Sequence, residues 1–306
     1  MHDLLQKAAI QAQTVLADCR LCSRACGVDR RHSVAGAFCR LDSRAWIYKE
    51  LLSVGEEAVL NPTWLVDVGG CSIRCLYCSE WPQVVQPHSG SAVELDPTWF
   101  AARMAQRRAQ GAATLTLVGG EPTVNLPALL QALAHCSELL PIVWNTNGLL
   151  GAQARDLLAG VVAVWSLDAK FGNPACALRV SGFASDVTHP DWQATVQMAL
   201  QSRPQGNLPP LVVRHLLMPG HLQCCTLPVL EHLAELAGAV QRIGNHTGQT
   251  MYVNLMTWYA AARHPAKLRH APELQVGLAR QEVDQAVALA QRLLGPCLWV
   301  DGRTLS

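Results

Sequence analysis

The sequence predicts an α/β fold: an incomplete (β/α)6 barrel preceded by a cysteine-rich module. Three observations lead there. After residue 60, short runs rich in β-branched residues alternate with longer stretches of helical composition, six times in series. The cysteine, paired-glycine, asparagine and charged positions fall at or near the ends of those runs, where parallel α/β architectures gather their chemistry. Four cysteines are crowded into residues 19–39, ahead of the first predicted strand. The expected organisation is therefore a helix and metal-binding module over 1–60 and a barrel over 61–306.

Taken in order, Met1-His-Asp-Leu-Leu-Gln-Lys7 reads as an ordinary helix start, without the basic and apolar regions of a signal peptide. Cys19, Cys22, Cys26 and Cys39 follow in the spacing C-x2-C-x3-C-x12-C, with Gly27 and Gly36 permitting tight turns. Four thiolates so close suit a tetrahedral zinc or a closed iron–sulfur cluster. Strands are expected at 64–68, 114–118, 141–145, 161–168, 211–217 and 251–257. Helices are expected at 97–110, 126–139, 151–159, 190–202, 226–242 and 280–294. Asp96-Pro97 and the prolines at 127 and 228 mark helix starts.

Composition bounds the function. Half of the 306 residues are hydrophobic and 15% are charged, as in a globular chain. A formal net charge of +1 gives no reason to expect nucleic acid or an anionic membrane as partner. No apolar run reaches the length of a membrane span. Twelve cysteines without a secretion signal point to a reducing compartment, the cytoplasm, where thiols are metal ligands or buried side chains.

Cys71, Cys75 and Cys78 carry the most chemistry. Their spacing, C-x3-C-x2-C, also fits a stripe on a helix, but it follows the strand Trp64–Val68 and the pair Gly69-Gly70, so it belongs to a loop. Three thiolates can wrap one corner of a [4Fe-4S] cluster and leave the fourth iron without a protein ligand, whereas an electron-transfer cluster is normally closed by four. This loop, with Tyr77 before its last cysteine, resembles the signature of the radical S-adenosylmethionine (SAM) superfamily. The resemblance implies a [4Fe-4S] cluster whose open iron chelates SAM. One electron would cleave the cofactor to methionine and a 5′-deoxyadenosyl radical, which abstracts hydrogen from substrate.

Gly119-Gly120-Glu121-Pro122 closes the second strand. Alone it would be a turn. In the superfamily this motif binds the amino group of SAM, a role the resemblance assigns to Gly119, Gly120 and Glu121. Lys170 and Arg214 would neutralise the cofactor carboxylate, and Asp168 would accept from its ribose or ammonium. The alternative for these three is a structural ion-pair network. Asn145, with Thr146 and Asn147, would hold the ribose, although Asn-Gly is also turn chemistry. His215 reads equally as a core histidine. No residue is assigned as catalytic beyond the cofactor site. Of the remaining cysteines only the adjacent Cys224-Cys225 suggests a grouping, and Cys136 and Cys297 read as packing residues.

The chain further resembles the pyruvate formate-lyase activating enzyme-like branch of the superfamily, from about Cys19 to Tyr259. The matches are Cys19-Arg-Leu-Cys-Ser-Arg-Ala-Cys-Gly-Val-Asp-Arg30, Gly55-Glu-Glu57, Pro141-Ile-Val-Trp-Asn-Thr-Asn-Gly148, Arg214-His-Leu-Leu-Met-Pro-Gly220 and Val253-Asn-Leu-Met256. The departures are Ser23, Ala58, Asp168-Ala-Lys170 and Thr257-Trp-Tyr259. This resemblance implies hydrogen abstraction from a protein or peptide, as in glycyl-radical activation, with a flavodoxin or ferredoxin as electron donor. A small-molecule or maturase enzyme using the N-terminal cysteines as an auxiliary cluster is the second reading. A non-catalytic iron–sulfur electron carrier is the third.

Overall fold

The structure, a computed structural model, describes residues 1–55, 57–202, 205–247, 251–260 and 265–304. Its chain forms two compact units. The first comprises Met1–Gly55, Val59–Ser72 and Glu80–Val164; the second comprises Glu56–Ala58, Ile73–Ser79 and Trp165–Ser306.

In the first unit, helix α1 (His2–Val15) presents Leu5, Ala8 and Ala12 inward and packs on α4 (Leu126–His135) and α5 (Ala152–Leu158). Strands β1 (Trp46–Ser53), β2 (Thr63–Val68), β3 (Val93–Glu94), β4 (Thr114–Gly119) and β5 (Ile142–Thr146) lie in the order β3-β1-β2-β4-β5. β2, β4 and β5 are parallel, whereas β1 runs antiparallel to β2 and β3. The short helix α2 (Trp81–Val85) follows the cysteine loop. Helix α3 (Pro97–Ala109) starts where predicted, because the Asp96 carboxylate accepts from the Trp99 backbone N–H at 2.6 Å and proline occupies the first turn. Trp64, Val66, Leu115 and Leu117 are fully buried, the period-two signature of β2 and β4.

In the second unit, β6 (Val164–Asp168), β7 (Leu211–Leu216), β8 (Met251–Met256), β9 (Leu298–Val300) and β10 (Arg303–Thr304) are neighbours in chain order. The pairs from β6 to β9 are parallel and β10 folds back antiparallel. The helices here are α6 (Pro174–Ser181), α7 (Pro190–Gln201), α8 (Leu227–Thr247) and α9 (Arg280–Leu294). Strands β2, β4, β5, β6, β7 and β8 with their intervening helices give the six-fold β/α succession of an incomplete (β/α)6 barrel, a mostly parallel α/β fold as predicted.

The sequence did not predict β1, β3, the β9–β10 hairpin, the short helices α2 and α6, or a π-helical turn. β1 has one buried residue among its eight and lacks a clean alternation. The β9–β10 hairpin is too short to carry a pattern. The helix expected over 226–242 is preceded by a π-helical turn, Leu222–Thr226, in which the His221 carbonyl accepts from the N–H groups of both Cys225 and Thr226. Glu56, in the Gly55-Glu-Glu57 match, lies outside the described residues.

Candidate functional site

In the first unit the predicted residues crowd around the ends of β2, β4 and β5. Gly70 has φ +78°, and a Cβ on it would lie 2.6 Å from the Leu41 side chain. Gly120 is tighter still: a Cβ there would fall 2.0 Å from the Gly70 carbonyl oxygen. The paired glycines thus allow the Gly119-Gly120 turn to press its backbone against the entry to the cysteine loop. Asn125 reinforces the junction by donating to the carbonyls of Gly69 (2.8 Å) and Glu121 (3.0 Å).

Glu121 is buried, and each of its carboxylate oxygens is used by the fold. Oε1 accepts from the Thr123 N–H (3.0 Å) and the Thr146 hydroxyl (2.7 Å), and Oε2 accepts from the Asn147 N–H (2.9 Å). Burial pushes its pKa up, opposed by these hydrogen bonds. Asn147 then reaches the Ser72 hydroxyl at 3.0 Å and the Cys71 sulfur at 3.9 Å through Nδ2. The path Glu121, Asn147, Cys71 links the Gly-Gly-Glu turn to the first cysteine of the triplet. Asn145 lies half-buried on β5 beside Thr146.

The N-terminal cysteines sit in the same unit. Cys19 and Cys39 are buried, Cys22 is half-buried and Cys26 is exposed. Burial raises the Cys22 pKa to about 12, and the neighbouring Cys39, Cys19 and Cys26 act in the same direction, so the four thiols lie within electrostatic reach of one another. Arg30, 2% exposed, is sealed beside them. Its guanidinium donates to the carbonyls of Leu41 (2.8 Å), Asp42 (2.9 Å) and Val124 (2.8 Å) and to the Cys19 sulfur (3.4 Å). Burial opposes its charge, but Cys39, Cys19 and Cys22 outweigh this and the pKa rises. Its hydrogen-bond partners are three main-chain carbonyls and one sulfur, and the Asp42 carboxylate also lies within electrostatic reach. Arg24, stacked 3.7 Å over the Phe38 ring, donates to the Ser72 carbonyl at 2.8 Å. Burial lowers its pKa, opposed by the nearby Cys22, Cys26 and Cys71. Sequence reasoning assigned no role to Arg24 or Arg30; their positions within the Cys19–Arg30 match were the available signal.

In the second unit, Cys75 is buried and Cys78 half-buried. Burial pushes the Cys75 thiol up to about 12, with Lys170 acting in the opposite direction. The loop is held by helix α6, whose Val180 and Ser181 carbonyls accept from the N–H groups of Leu76 (2.8 Å) and Arg74 (2.9 Å). Tyr77 meets Tyr259 edge-on at 6.3 Å. Lys170 pairs with Asp168 at 2.6 Å at the end of β6. Arg214 instead makes a two-point pair with Glu57, whose Oε1 accepts from Nε at 2.8 Å, and Asn254 donates to the same oxygen at 2.8 Å. Glu57 is buried and was not among the predicted site residues. His215 is fully buried: Nδ1–H donates to the Ala169 carbonyl (2.7 Å) and Nε2 accepts from the Thr226 hydroxyl (3.0 Å). The core-histidine reading of His215 fits these contacts.

Cys71 of the first unit and Cys75 of the second are buried, Cys78 is half-buried, and none of the three is in a disulfide. Three thiolates in the C-x3-C-x2-C spacing suit an iron–sulfur cluster with one iron left to an exogenous ligand.

The profile of the Radical SAM superfamily matches residues 65–233. The match covers more than half of the chain, which belongs to that superfamily. Its members work with a [4Fe-4S] cluster and SAM, and the chain is therefore an enzyme of the radical SAM type. It is 27% identical over 289 residues to the uncharacterized protein MJ0674 of Methanocaldococcus jannaschii, covering 92% of this chain and 76% of that protein. Among solved structures it is similar to Streptococcus suis SuiB bound to SAM, with 13% identity and a TM-score of 0.44 over 75% of this chain and 48% of that one. SuiB bound to its precursor peptide SuiA gives the same identity and TM-score, covering 46% of that chain. The chain thus spans about half the length of those structures. Among the described residues, no helix is long and apolar enough to cross a membrane.

Proposed function

We propose that Cys71, Cys75 and Cys78 hold the [4Fe-4S] cluster of this radical SAM enzyme, and that Cys19, Cys22, Cys26 and Cys39 hold a second, closed iron–sulfur cluster. When bound, the first cluster and SAM together supply a reductively generated 5′-deoxyadenosyl radical that removes hydrogen from an unactivated C–H bond. The residues of the chain orient those groups. The Gly119-Gly120 turn offers main-chain carbonyls to the cofactor ammonium, and Glu121, spent on Thr123, Thr146 and Asn147, fixes the turn and Cys71. Lys170, paired with Asp168 in the resting structure, would neutralise the cofactor carboxylate, Asn145 would hold its ribose, and Arg214 would act through its partner Glu57.

The observation that carries the two-cluster reading is Arg30, a buried cation that donates to the Cys19 sulfur and lies within electrostatic reach of Cys39, Cys22 and Asp42. A four-thiolate iron–sulfur centre carries net negative charge and would compensate it. Arg24 is within electrostatic reach of Cys22 and Cys26 of one thiol group and of Cys71 of the other. The substrate reading, hydrogen abstraction from a protein or peptide with flavodoxin or ferredoxin as donor, follows the activating-enzyme resemblance. A small-molecule or maturase role is favoured instead if the N-terminal cluster is needed for turnover.

Anaerobic reconstitution followed by dithionite tests the enzyme assignment: 5′-deoxyadenosine and methionine are expected from SAM, and a fully loaded protein that releases neither refutes it. With a candidate protein partner present, a stable glycyl doublet in electron spin resonance supports activation. A mass change without the doublet supports modification.

A further inference from the structure

Four metal-ligating side chains outside both cysteine groups meet in the second unit. Cys176 of α6, His221, and Cys224 and Cys225 of the π-helical turn have ligand atoms that all lie within 4.8 Å of one another. The His221 Nδ1 is 3.1 Å from the Cys176 sulfur, 3.4 Å from that of Cys224 and 3.7 Å from that of Cys225. The Cys224 and Cys225 sulfurs are 3.9 Å apart. A tetrahedral zinc with sulfur at about 2.3 Å and nitrogen at about 2.0 Å sets its ligand atoms about 3.5 to 3.8 Å from each other. These four separations are within about 0.4 Å of such a tetrahedron's edges.

The surroundings are those of a metal centre. The far ring nitrogen of His221 is 3.2 Å from Glu273 Oε1, so Nε2–H donates to the carboxylate and the Nδ1 lone pair turns toward the sulfurs. A carboxylate behind a ligating histidine is the usual second layer of a zinc site. Arg179 holds that same oxygen at 2.6 Å. The Asn173 side chain accepts from the Cys176 N–H at 2.8 Å and donates to the Cys224 carbonyl at 2.5 Å, joining the two ligand-bearing elements. A Cβ on Gly172 would fall 2.6 Å from the Cys225 carbonyl, so the turn needs glycine there. Cys176 and Cys225 lie in an apolar cluster with Phe171, Met218, Tyr259 and Leu274.

We propose that Cys176, His221, Cys224 and Cys225 form a structural zinc(II) site. Four protein ligands close the coordination sphere and leave no position for substrate, which makes the site a staple and not a catalyst. It joins α6, whose last carbonyls hold Arg74 and Leu76 of the cysteine loop, to the π-helical turn. It is distinct from the pair of iron–sulfur sites proposed above and does not depend on them.

The test is metal content per chain in protein isolated anaerobically from cells supplied with both iron and zinc. About one zinc per chain is expected in wild type and in Cys19→Ala, and less than roughly a tenth of that in Cys176→Ser and His221→Ala, with iron unchanged. Glu273→Gln should keep the metal but weaken zinc affinity about 10- to 100-fold in a chelator competition. Should the ligand variants fail to fold, X-ray absorption at the zinc edge of the Cys19→Ala, Cys22→Ala double variant decides, with three sulfurs and one nitrogen expected. Unchanged zinc in the ligand variants, a different shell, iron in that shell, or a disulfide among these cysteines with no metal overturns the proposal.

Discussion

The smallest side chain in the site governs most of its geometry. Gly120 faces the Gly70 carbonyl so closely that no Cβ fits, and both atoms are backbone, so neither can turn aside. Gly120→Ala is expected to cost about 3 kcal/mol or more through forced backbone movement. Iron content per chain and thermal midpoint would show it as poor cluster loading in a destabilised protein. Glu121→Gln tests a subtler point. The amide retains an acceptor for Thr123 and Thr146 but turns a donor toward the Asn147 N–H, an unmet pair worth about 1 to 3 kcal/mol. Deoxyadenosine release should fall while the iron content holds; an unchanged rate would remove Glu121 from the site. At this scale the sequence was informative where ligands sit close together in the chain, as in the two cysteine groups. It was silent on Cys176 and His221, which are separated by 44 intervening residues and brought together only by folding. The spacing from His221 to the adjacent Cys224-Cys225 was the one local hint.

Among the elements, His215 of β7 does the connecting. Its two ring nitrogens bridge the carbonyl between Asp168 and Lys170 at the end of β6 and the last residue of the π-helical turn. Burial lowers its pKa to about 4, below the unperturbed value of about 6.5. The sign follows from linkage: a depressed folded pKa contributes stability that is present above about pH 6.5 and lost as pH falls through about 4. Wild type should therefore lose thermal stability across that interval more steeply than His215→Phe. The variant in turn should be less stable at pH 7.5 by about 1 to 3 kcal/mol, because the Ala169 carbonyl and the Thr226 hydroxyl lose their partner. Parallel pH series by differential scanning calorimetry would measure both; equal acid slopes would remove the histidine from the account. The six parallel strands were legible because each is an apolar run ending on a polar or glycine-rich turn. The edge strand β1 was not, since seven of its eight residues are only partly buried or exposed and no alternation develops. The π-helical turn is invisible to any 3.6-residue pattern.

For the molecule as a whole, the central quantity is how its metal is partitioned. Two cysteine groups proposed for iron and one cysteine–histidine group proposed for zinc account for ten of the twelve cysteines, leaving the buried Cys136 at the end of α4 and the half-buried Cys297. Removing Cys71, Cys75 and Cys78 together should leave about half of the iron, assigned to the N-terminal cluster, and abolish deoxyadenosine formation. Arg30→Met should do the reverse, lowering iron by about half while the remaining centre still responds to SAM in its spin spectrum. Loss of all iron in either variant would mean that the pools are not independent.

The arginine enclosed at position 30 has a consequence for handling the protein in air. If oxygen strips the iron proposed beside it, the positive charge stays buried and keeps only the nearby Asp42 carboxylate as counter-charge. Oxidative damage would then not stop at a bleached chromophore. It would loosen the Leu41, Asp42 and Val124 contacts, so that aerobically exposed samples lose their shape along with their colour.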